Sequence, residues 1–345
     1  MKTLTRPPVQ RVRPTQRPYR LPLALGVLVL GLVLVVGLSL TQGSVAMTGP
    51  ELWAALLRQG NPTHQVVLWD LRLPRLLATL LVGASLGVSG ALLQGMLRNG
   101  LASPFLLGIS SGAGLVVVVV ITLGIWQVWV PLGAWLGAIA TTALVYLLAY
   151  GRGGLSIERL ILSGVAFSSL FGAIQSLLLL MSRDGRIQAA LNWLIGSFNG
   201  RGWTEVRLVG PGLVVAIAAG CLLARQVNLL NLGDDLAVGL GTSLARSRLL
   251  IGAVATFLAA GSVSIAGLVG FVGLMVPHGV RLLVGTDYRL VLPFSALGGA
   301  LVLSAADLAA RSGPVELPVG VVTAFLGAPV FIWLLSRRRG VAGGH

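Results

Sequence analysis

The sequence predicts an all-α membrane protein with about ten transmembrane helices. Hydrophobic residues make up 55% of the 345-residue chain and charged residues only 10%, and the mean hydropathy is +0.91. A soluble domain carries about 25% charged residues, so a soluble core of this length could not hide so much apolar surface. Apolar segments long enough to span a bilayer recur along the chain. The net charge of +15 does not indicate nucleic-acid binding, because the basic residues occur in short groups between apolar segments.

The first predicted helix follows a basic N-terminal tail. Residues 1–20 carry six basic residues, and the stretch from Leu21 to Leu40 is apolar throughout. A signal peptide has the same arrangement, and SVA at 44–46 is similar to a cleavage site. The apolar region of a signal peptide is roughly 7–15 residues long, whereas this one can cross a bilayer. We therefore interpret residues 21–41 as a retained first helix and residues 1–20 as a cytoplasmic tail.

Nine further apolar segments complete the predicted bundle. They lie near 73–97, 104–124, 129–150, 158–181, 205–224, 247–263, 267–284, 291–309 and 318–335. The chain has 47 glycines, which often occur at small-xxx-small spacing, as in GASLG at 83–87. In a bilayer such glycines let helices pack closely. We predict a single transmembrane domain over 21–338 and a C-terminal tail over 339–345.

The distribution of Arg and Lys predicts the orientation of these helices. Because their number is even, both termini lie on one side of the membrane. That side carries 17 of the 25 basic residues, counted over the termini and the loops that share their side, and the other side carries eight. Cytoplasmic loops hold the excess of Arg and Lys. Both termini and the stretch LGDDLAVGLG (232–241) are therefore predicted to be cytoplasmic.

The sequence shows none of the residue patterns that an enzyme or an ion-coupled transporter would require. Lys2 is the only lysine, so a phosphate-binding loop of the GxxxxGK[ST] type cannot form. The histidines His64, His278 and His345 have no metal-ligand spacing, and Cys221 has no partner for an internal disulfide. An ion-coupled secondary transporter, the alternative class, would need an ionisable group at mid-membrane, whereas the acids here fall near helix ends. We therefore expect no catalytic residue, cofactor or metal, and an energy source on another protein.

Several stretches together resemble one family. They are LRLPRLLATLLVGASLGVSGALLQGMLRNGLASPFLLGISSGA (71–113), LLNLGDDLAVGLG (229–241), GLVGFVGLMVPHGVRLLVGTDYRLVLP (267–293) and ELPVGVVTAFLGAPVFIWLL (316–335). Their order and spacing are similar to those of FecCD-type permeases, the membrane subunits of ABC importers for ferric siderophores, heme and cobalamin. The resemblance covers roughly residues 50–338. The family usually has Asn-Pro-Leu where this chain has Asn99, Gly100 and Leu101, and glycine also permits a sharp bend.

The resemblance implies a type II ABC importer permease fold and a set of partners. Two permease subunits, identical or paralogous, would surround a central pathway in the bacterial inner (plasma) membrane. Two cytoplasmic ATP-binding subunits would bind ATP in place of this chain, and a periplasmic or lipid-anchored binding protein would deliver the substrate. We expect an iron(III)-siderophore complex as substrate, since it is the commonest load of the family. Heme or cobalamin are the alternatives.

The segment 228–246 resembles the family's coupling segment, whose two short helices dock into a groove on the ATPase. The coupling residues would be Asp234, Asp235, Leu236, Ala237, Leu240 and Gly241. The apolar members would enter the groove. The two acids would begin the first short helix, where carboxylates cap free N–H groups and favour the positive end of the helix dipole. Direct contact of these acids with the ATPase is the alternative.

Arg72, Arg75 and Arg311 lie on the predicted outer side, which should carry few basic residues. The resemblance implies that they dock glutamates on the two lobes of the binding protein. The planar guanidinium suits this role because it engages a carboxylate with two parallel hydrogen bonds. Ordinary anchoring at the membrane interface is the alternative interpretation.

Two connections resemble parts of the family's substrate pathway. Between helices five and six, Met181, Trp193 and Phe198 would present an apolar wall to a bulky ligand, although simple packing explains each of them equally well. On the inner side, GRGGLSIER (151–159) corresponds to the loop that closes the pathway toward the cytoplasm. Leu155 and Ser156 would form its narrow point.

Overall fold

The computed structural model describes residues 20–43, 45–124, 129–151, 154–182 and 184–342. Over these ranges the chain is helical apart from one antiparallel pair of short strands, β1 (Tyr150–Gly151) and β2 (Gly154–Leu155). A π-helical turn (Val67–Arg72) leads into the fourth helix, and a 3-10 turn (Pro104–Leu107) precedes the fifth. The helices are α1 (Arg20–Thr41), α2 (Gly49–Leu56), α3 (Pro62–Val66), α4 (Leu73–Met96), α5 (Ile109–Leu123), α6 (Val130–Ala149), α7 (Ile157–Leu180), α8 (Asp184–Ile195), α9 (Trp203–Leu222), α10 (Ala224–Asn231), α11 (Asp234–Gly239), α12 (Leu244–Ala266), α13 (Val272–Val284), α14 (Tyr288–Ala310) and α15 (Val319–Ala342).

Ten of these helices coincide with the ten apolar segments of the sequence, which confirms the predicted fold class. Among the described residues, seven helices are long and apolar enough to cross a bilayer, namely α1, α4, α6, α7, α9, α12 and α14. The apolar parts of α5, α13 and α15 are shorter. The shorter helices α2, α3, α8, α10 and α11 lie in the connections between them.

Three helix boundaries differ from the prediction. The fifth helix begins at Ile109 rather than near 104, because Gly108 has a φ of 73° that a helix cannot contain. Likewise α13 begins at Val272 rather than 267, after a bend in which Gly267 and Phe271 have φ values of 70° and 65°. The last helix continues to Ala342, into the predicted tail. Most of the predicted N-terminal tail (1–19) and residues 343–345 lie outside the described residues.

Helix α4 lies at the centre of the bundle and packs against its neighbours backbone to backbone. A Cβ atom at Gly83 would overlap the carbonyl oxygen of Gly299 on α14, and one at Gly87 would overlap that of Ser295. On another face, a Cβ at Gly90 would overlap the carbonyl oxygen of Gly273 on α13. The small-xxx-small prediction for GASLG is therefore confirmed, since only glycine permits this approach.

Buried polar side chains of α4 form hydrogen bonds to the surrounding helices. The Ser89 hydroxyl donates to the carbonyl oxygen of Ala255 on α12 at 2.7 Å, and the hydroxyls of Thr79 and Ser304 are 3.1 Å apart. In hydrocarbon a polar group without a partner costs several kcal/mol, so these bonds fix the rotation of α4 relative to α12 and α14.

The periphery of the bundle is apolar and exposed. Large side chains of α7, among them Leu162, Leu170, Leu177 and Leu180, are mostly exposed, and α1 has a similar surface. Contiguous apolar surface of this extent marks contact with lipid or with another subunit. The described part of the chain is therefore a bundle built around α4, with its outer helices facing the membrane.

Candidate functional site

The predicted coupling segment lies between α9 and α12, on the predicted cytoplasmic side, hereafter the inner side. Val227 and Leu230 of α10 are buried and hold this helix against the bundle. The chain then turns at Gly233, which has a φ of 109°, and α11 follows. Asp234 and Asp235 form the first turn of α11.

The prediction of two short helices within 228–246, the first begun by the two acids, needs correction. The acids begin the second of two short helices, because α10 already occupies 224–231. The predicted later helix does not exist as a separate element, since the chain from Leu244 onward is continuous with α12. One short helix, α11, is therefore presented between α10 and α12.

Asp234 joins α11 to the ends of two transmembrane helices. Its Oδ1 accepts from Arg98 Nη2 at 2.8 Å, just beyond α4. Its carboxylate also accepts from Arg248 Nη2 at 2.8 and 3.0 Å, in the first turns of α12. Among the described residues Asp235 makes no ion pair. The two adjacent acids therefore differ: one holds the segment in place, and the other is left at the surface of α11.

The side chains of α11 divide into an exposed face and a buried face. Leu236 and Leu240 are 60% and 62% exposed, and Val238 lies beside them with a similar exposure. Ala237 is fully buried against the chain itself, so its predicted entry into a groove of a partner is wrong for this conformation. Gly241, with a φ of 80°, terminates the segment. Exposed leucines on a helix at the aqueous side of a membrane protein are typical of a protein-binding surface.

Gln94 links α4 to the elements around the coupling segment. Its side chain is buried, and Nε2 donates to the carbonyl oxygens of Ala102, Gly273 and Leu274 at 3.1–3.3 Å. Its Oε1 accepts from Arg281 Nη2 at 2.6 Å. One amide thus connects α4, the turn after it and both ends of α13.

The turn after α4 is set by asparagine rather than by glycine. Asn99 Oδ1 accepts from the backbone N–H of Leu101 at 2.9 Å, and the Asn99 carbonyl accepts from the N–H of Ala102. Arg98, not Gly100, has the positive φ, at 49°. An Asx turn of this kind does not need glycine, so the Gly100 departure from the family pattern leaves the bend intact.

A polar cavity of about 580 Å³ opens on the inner side between α4, α10, α13 and the start of α14. Asp287 at its edge caps α14: Oδ1 accepts from the N–H of Arg289 at 3.0 Å and from Asn228 Nδ2 at 2.6 Å. These two hydrogen bonds lower the pKa of Asp287 below its usual value. The contact between Asp287 and Asn228 fastens α10 to the start of α14.

The three predicted docking arginines meet at the opposite, outer end of the bundle. They line a cavity of about 450 Å³ that also contains Asp307 and Glu316. Arg75 Nη2 donates to Asp307 Oδ1 at 2.8 Å and to Glu316 Oε1 at 2.7 Å, and Arg75 Nε lies 3.1 Å from Asp307 Oδ2. The guanidinium of Arg75 therefore clamps two carboxylates of its own chain.

Arg72 and Arg311 are also engaged within the chain. Arg72 is buried, and its guanidinium donates to the carbonyl oxygens of Leu40, in the last turn of α1, and of Val45, just beyond that helix. Arg311 Nη2 donates to the carbonyl oxygen of Ser39 at 3.0 Å, and Arg311 Nε is 3.6 Å from Asp307. Arg72 and Arg311 therefore hold the outer end of α1, whereas Arg75 holds two carboxylates at and beyond the end of α14. Their docking role stays a prediction.

The predicted pathway residues fall in different environments. Met181 is 78% exposed at the outer end of α7. Trp193 and Phe198 are buried in the core of the chain, so the expectation that they form an open wall is wrong, and the packing alternative holds. Leu155 lies in β2 and packs against the core, and Ser156 caps α7 by accepting from the N–H of Arg159 at 3.4 Å. Their role as a gate stays a prediction.

Several site residues escaped the sequence analysis. Arg98, Arg248, Gln94 and Asp287 organise the inner side, yet none of them was singled out as a site residue. Gln94 did carry a signal, because it is a lone amide in a helix whose other residues, apart from Arg75, are small or apolar. Arg98 carried none, since it is 136 positions from Asp234 along the chain, and Arg248, 14 positions away, has no motif that marks it.

Comparison with known proteins identifies the family of this helical bundle. The model of the FecCD transport family matches residues 31–337. The chain belongs to the FecCD transport family. The cobalamin import system permease protein BtuC of Halobacterium salinarum is 44% identical over 289 residues, which cover 83% of this chain and 78% of that relative. The Fe(3+)-citrate import system permease protein YfmD of Bacillus subtilis is 39% identical over 306 residues, covering 88% and 91%.

A solved structure agrees with this assignment. An inward-facing ABC transporter of the metal-chelate type matches with a TM-score of 0.84 at 34% identity, covering 92% of this chain and 99% of that one. As a FecCD protein, the chain is a multi-pass membrane permease subunit of an ABC importer. Permeases of this class work with ATPase subunits and a second permease.

Proposed function

We propose that this FecCD permease moves an iron(III)-siderophore complex across the bacterial inner membrane by alternating access. The proposal is supported by the similarity to a ferric citrate permease and to a metal-chelate transporter. Cobalamin is the second candidate, because the cobalamin permease has the higher identity. Heme stays an alternative, supported by the similarity to a hemin transport system permease, which is 36% identical over 332 residues. The chain itself makes and breaks no bond, and a partner ATPase supplies the energy.

The exposed face of α11 carries the proposed coupling. Leu236 and Leu240 would enter an apolar groove on the ATPase, with Asp235 and Gly241 at the edge of the contact. Asp234 would transmit the movement, because it binds the ends of α4 and α12 at once. A ligand or partner shifts a conformational equilibrium only through its different affinity for the two states. ATP binding and hydrolysis would supply that difference through the docked helix.

The outer arginine cluster carries the proposed docking of a binding protein. Arg75 is the best placed of the three, because its second carboxylate partner, Glu316, is partly exposed. A glutamate of the binding protein would replace Glu316 on the guanidinium while Asp307 stays bound. Arg311 would add positive charge nearby, and buried Arg72 would act by holding the end of α1.

A second permease subunit, identical or paralogous, would complete the pathway. The exposed apolar face of α7 and the exposed Met181 at its outer end support placing this helix beside the pathway. Leu155 and Ser156, at the inner end of the same helix, would then close the opposite mouth. Two such helices facing each other would form a wall without charges, which suits a bulky ligand that must not be held tightly.

Uptake by proteoliposomes tests the proposal directly. The permease is reconstituted with its ATPase and binding protein, and labelled ferric siderophore, cobalamin and heme are offered in parallel. We expect ATP-dependent uptake of the ferric siderophore and neither ATP hydrolysis nor uptake by the permease alone. If cobalamin or heme is taken up instead, that ligand would replace the ferric siderophore as the proposed substrate. Uptake by the permease alone under a proton or sodium gradient would place the chain among ion-coupled secondary transporters.

A further inference from the structure

An apolar groove lies between α6 and α12, away from the coupling and docking sites. It has a volume of about 570 Å³, and its lining is almost wholly apolar. The lining residues that define it are Ala143, Tyr146, Leu147, Leu249, Ala253 and Phe257. A volume in the range of about 300–1,000 Å³ suits a small ligand or a single hydrocarbon chain, and it is too small for a helix of a partner protein.

The position of the groove places it in the inner half of the bilayer. Helix α6 ends at Ala149 and α12 begins at Leu244, both on the inner side, and the groove is built from the parts of both helices nearest to these ends. Leu147 and Leu249 are mostly exposed, so the groove opens toward the membrane rather than into the bundle. Phe257 forms its deep end, where it packs edge to face against Trp135 with ring centroids 4.8 Å apart.

Two exposed arginines stand at the mouth of the groove. Arg246 precedes Leu249 by three residues and Ala253 by seven, so it lies on the same face of α12, closer to the cytoplasm. The guanidinium of Arg159 lies against Gly151, next to the groove residue Tyr150. Within the described residues neither arginine makes an ion pair. The two arginines therefore place positive charge at the level of the lipid headgroups, next to an apolar groove that can hold a hydrocarbon chain.

We propose that this groove binds an anionic phospholipid of the inner leaflet. One acyl chain lies between α6 and α12, and the phosphate is held by Arg246 and Arg159. The inner leaflet carries the anionic lipids that attract such juxtamembrane arginines. A zwitterionic lipid would fill the slot equally well but would gain less from the arginines. The inference depends on the membrane-spanning fold and not on the identity of the transported substrate.

Native mass spectrometry tests this site on the full-length chain. The protein is placed in nanodiscs of equal dioleoylphosphatidylglycerol and dioleoylphosphatidylcholine, extracted into mild detergent and weighed with its retained lipid. We expect retention of phosphatidylglycerol in severalfold excess over phosphatidylcholine. Ala253→Trp fills the groove and should abolish retention of both lipids. Arg246→Gln should reduce the preference for phosphatidylglycerol about fivefold, because one arginine near the membrane surface contributes about 1 kcal/mol.

Two matched variants control for general effects of the substitutions. Ala218→Trp places the same side chain on an exposed position of α9, and Arg289→Gln removes an exposed arginine at the start of α14. Both should retain lipid as the unchanged chain does. The proposal is overturned if Ala253→Trp still retains phosphatidylglycerol, if the unchanged chain shows no preference between the lipids, or if the controls lose lipid equally. Because Arg246 is exposed, its variant reports on binding even if Ala253→Trp fails to fold.

Discussion

At the scale of single residues, the inner side depends on a few side chains with several partners each. Asp234, Gln94 and Asp287 each contact at least two separate elements. Removal of a shared partner leaves more than one group unsatisfied, so its effect exceeds that of an ordinary surface substitution. The neighbouring acid Asp235 makes no ion pair within the described part of the chain, so the two acids can be compared directly.

Asp234→Asn should weaken coupling more than Asp235→Asn does. The change removes the charge that holds Arg98 and Arg248, and partly exposed ion pairs contribute about 0.2–1 kcal/mol each. We expect a lower unfolding midpoint in detergent and slower ATP-driven uptake by the assembled complex. Equal effects of the two substitutions in both measurements would show that the ion pairs of Asp234 have no special role.

Asp287→Ala should destabilise the protein more at neutral pH than in acid. The folded state lowers the pKa of Asp287, so its charged form is favoured over that in the unfolded chain, whose usual pKa is about 3.9. This stabilisation is present above about pH 4 and disappears as the pH falls through the lowered pKa. Loss of an N-cap costs about 1 kcal/mol. The difference in unfolding free energy between the unchanged chain and the variant is measured at pH 7 and near pH 3.

Asp287→Asn provides the control for that experiment. Asparagine keeps the capping oxygen, so the cap is retained at every pH and only the contribution of the charge is lost. We expect a smaller loss than for alanine at pH 7. A loss for Asp287→Ala that stays constant from pH 7 to pH 3 would contradict the assignment of the lowered pKa to this contact.

At the scale of elements, α4 and α11 have opposite designs. Helix α4 has almost no free surface, and its glycines touch the backbone of α13 and α14. Helix α11 has six residues and presents its large side chains outward. A substitution in α4 therefore acts on the fold, whereas we expect a substitution on the exposed face of α11 to leave the fold intact and to affect the proposed partner.

Gly87→Ala should destabilise the bundle. The added methyl group would overlap the carbonyl oxygen of Ser295 and force α4 and α14 apart, and overpacking of this kind costs about 1–3 kcal/mol. Gly172→Ala on α7 is the matched control, because a Cβ at that position meets open space. We expect the thermal midpoint in detergent to fall for Gly87→Ala and to stay or rise for Gly172→Ala. A fall of equal size in both variants would rule out helix contact as the cause.

Leu240→Arg should leave the permease folded and abolish its binding to the ATPase. The side chain is mostly exposed, so the fold tolerates the change, whereas a charge in an apolar groove without a partner costs several kcal/mol. Leu282→Arg, at another exposed position near the inner end of α13, is the control. Co-purification of the ATPase with each tagged variant is the measurement. Full recovery of ATPase with Leu240→Arg would remove α11 from the interface.

At the scale of the whole molecule, the two ends of the bundle use arginine differently. On the inner side arginines hold the coupling helix, and at the outer end they hold the ends of α1 and α14. Arg75→Glu, which would otherwise be the obvious docking test, is unsuitable. It would leave the buried Asp307 carboxylate without its partner, and loss of one partner of a buried pair costs about 3–5 kcal/mol.

Glu316→Gln is the better test of outer docking. It removes the partly exposed competitor from Arg75 and leaves the ion pair with Asp307 in place. If a binding-protein glutamate uses Arg75, we expect a severalfold rise in affinity and a steeper dependence on salt. Glu51→Gln changes an outer carboxylate that bonds Thr48 rather than an arginine, and it should change neither quantity. Identical affinities for all three proteins would argue against docking at Arg75.

The sequence predicts the helices of this protein far better than its side-chain contacts. Long apolar segments identify all ten transmembrane helices, because the bilayer imposes their length. The exceptions are at Gly108 and at the bend from Gly267 to Phe271, where residues with positive φ delay the start of a helix inside an apolar stretch. Composition cannot locate such a bend, since the same residues also occur within helices.

The site was predicted in part, for a related reason. Leu236 and Leu240 stand out as apolar residues in a polar connection, whereas Ala237 was wrongly grouped with them because a helix of six residues is too short to show a periodicity. Trp193 and Phe198 were assigned from residue type and from the resemblance of their segment to a pathway-lining one, and neither observation distinguishes an exposed wall from a buried core. The partners of Asp234 depend on contacts between distant parts of the chain, which one sequence does not reveal.

The two ion pairs of Asp234 connect α11 to the ends of α4 and α12 through charged groups. The contacts between the backbones of α4 and α14 involve no charged side chains, so ionic strength does not affect the packing of these two helices. The ion pairs of Asp234, by contrast, are screened as the salt concentration rises. If the ATPase docks on α11 as proposed, a movement of α11 reaches α4 and α12 together while both ion pairs are intact, and reaches only one of them when either ion pair breaks. The number of substrate molecules transported per ATP hydrolysed should consequently fall as the salt concentration rises, before the bundle itself loses any stability.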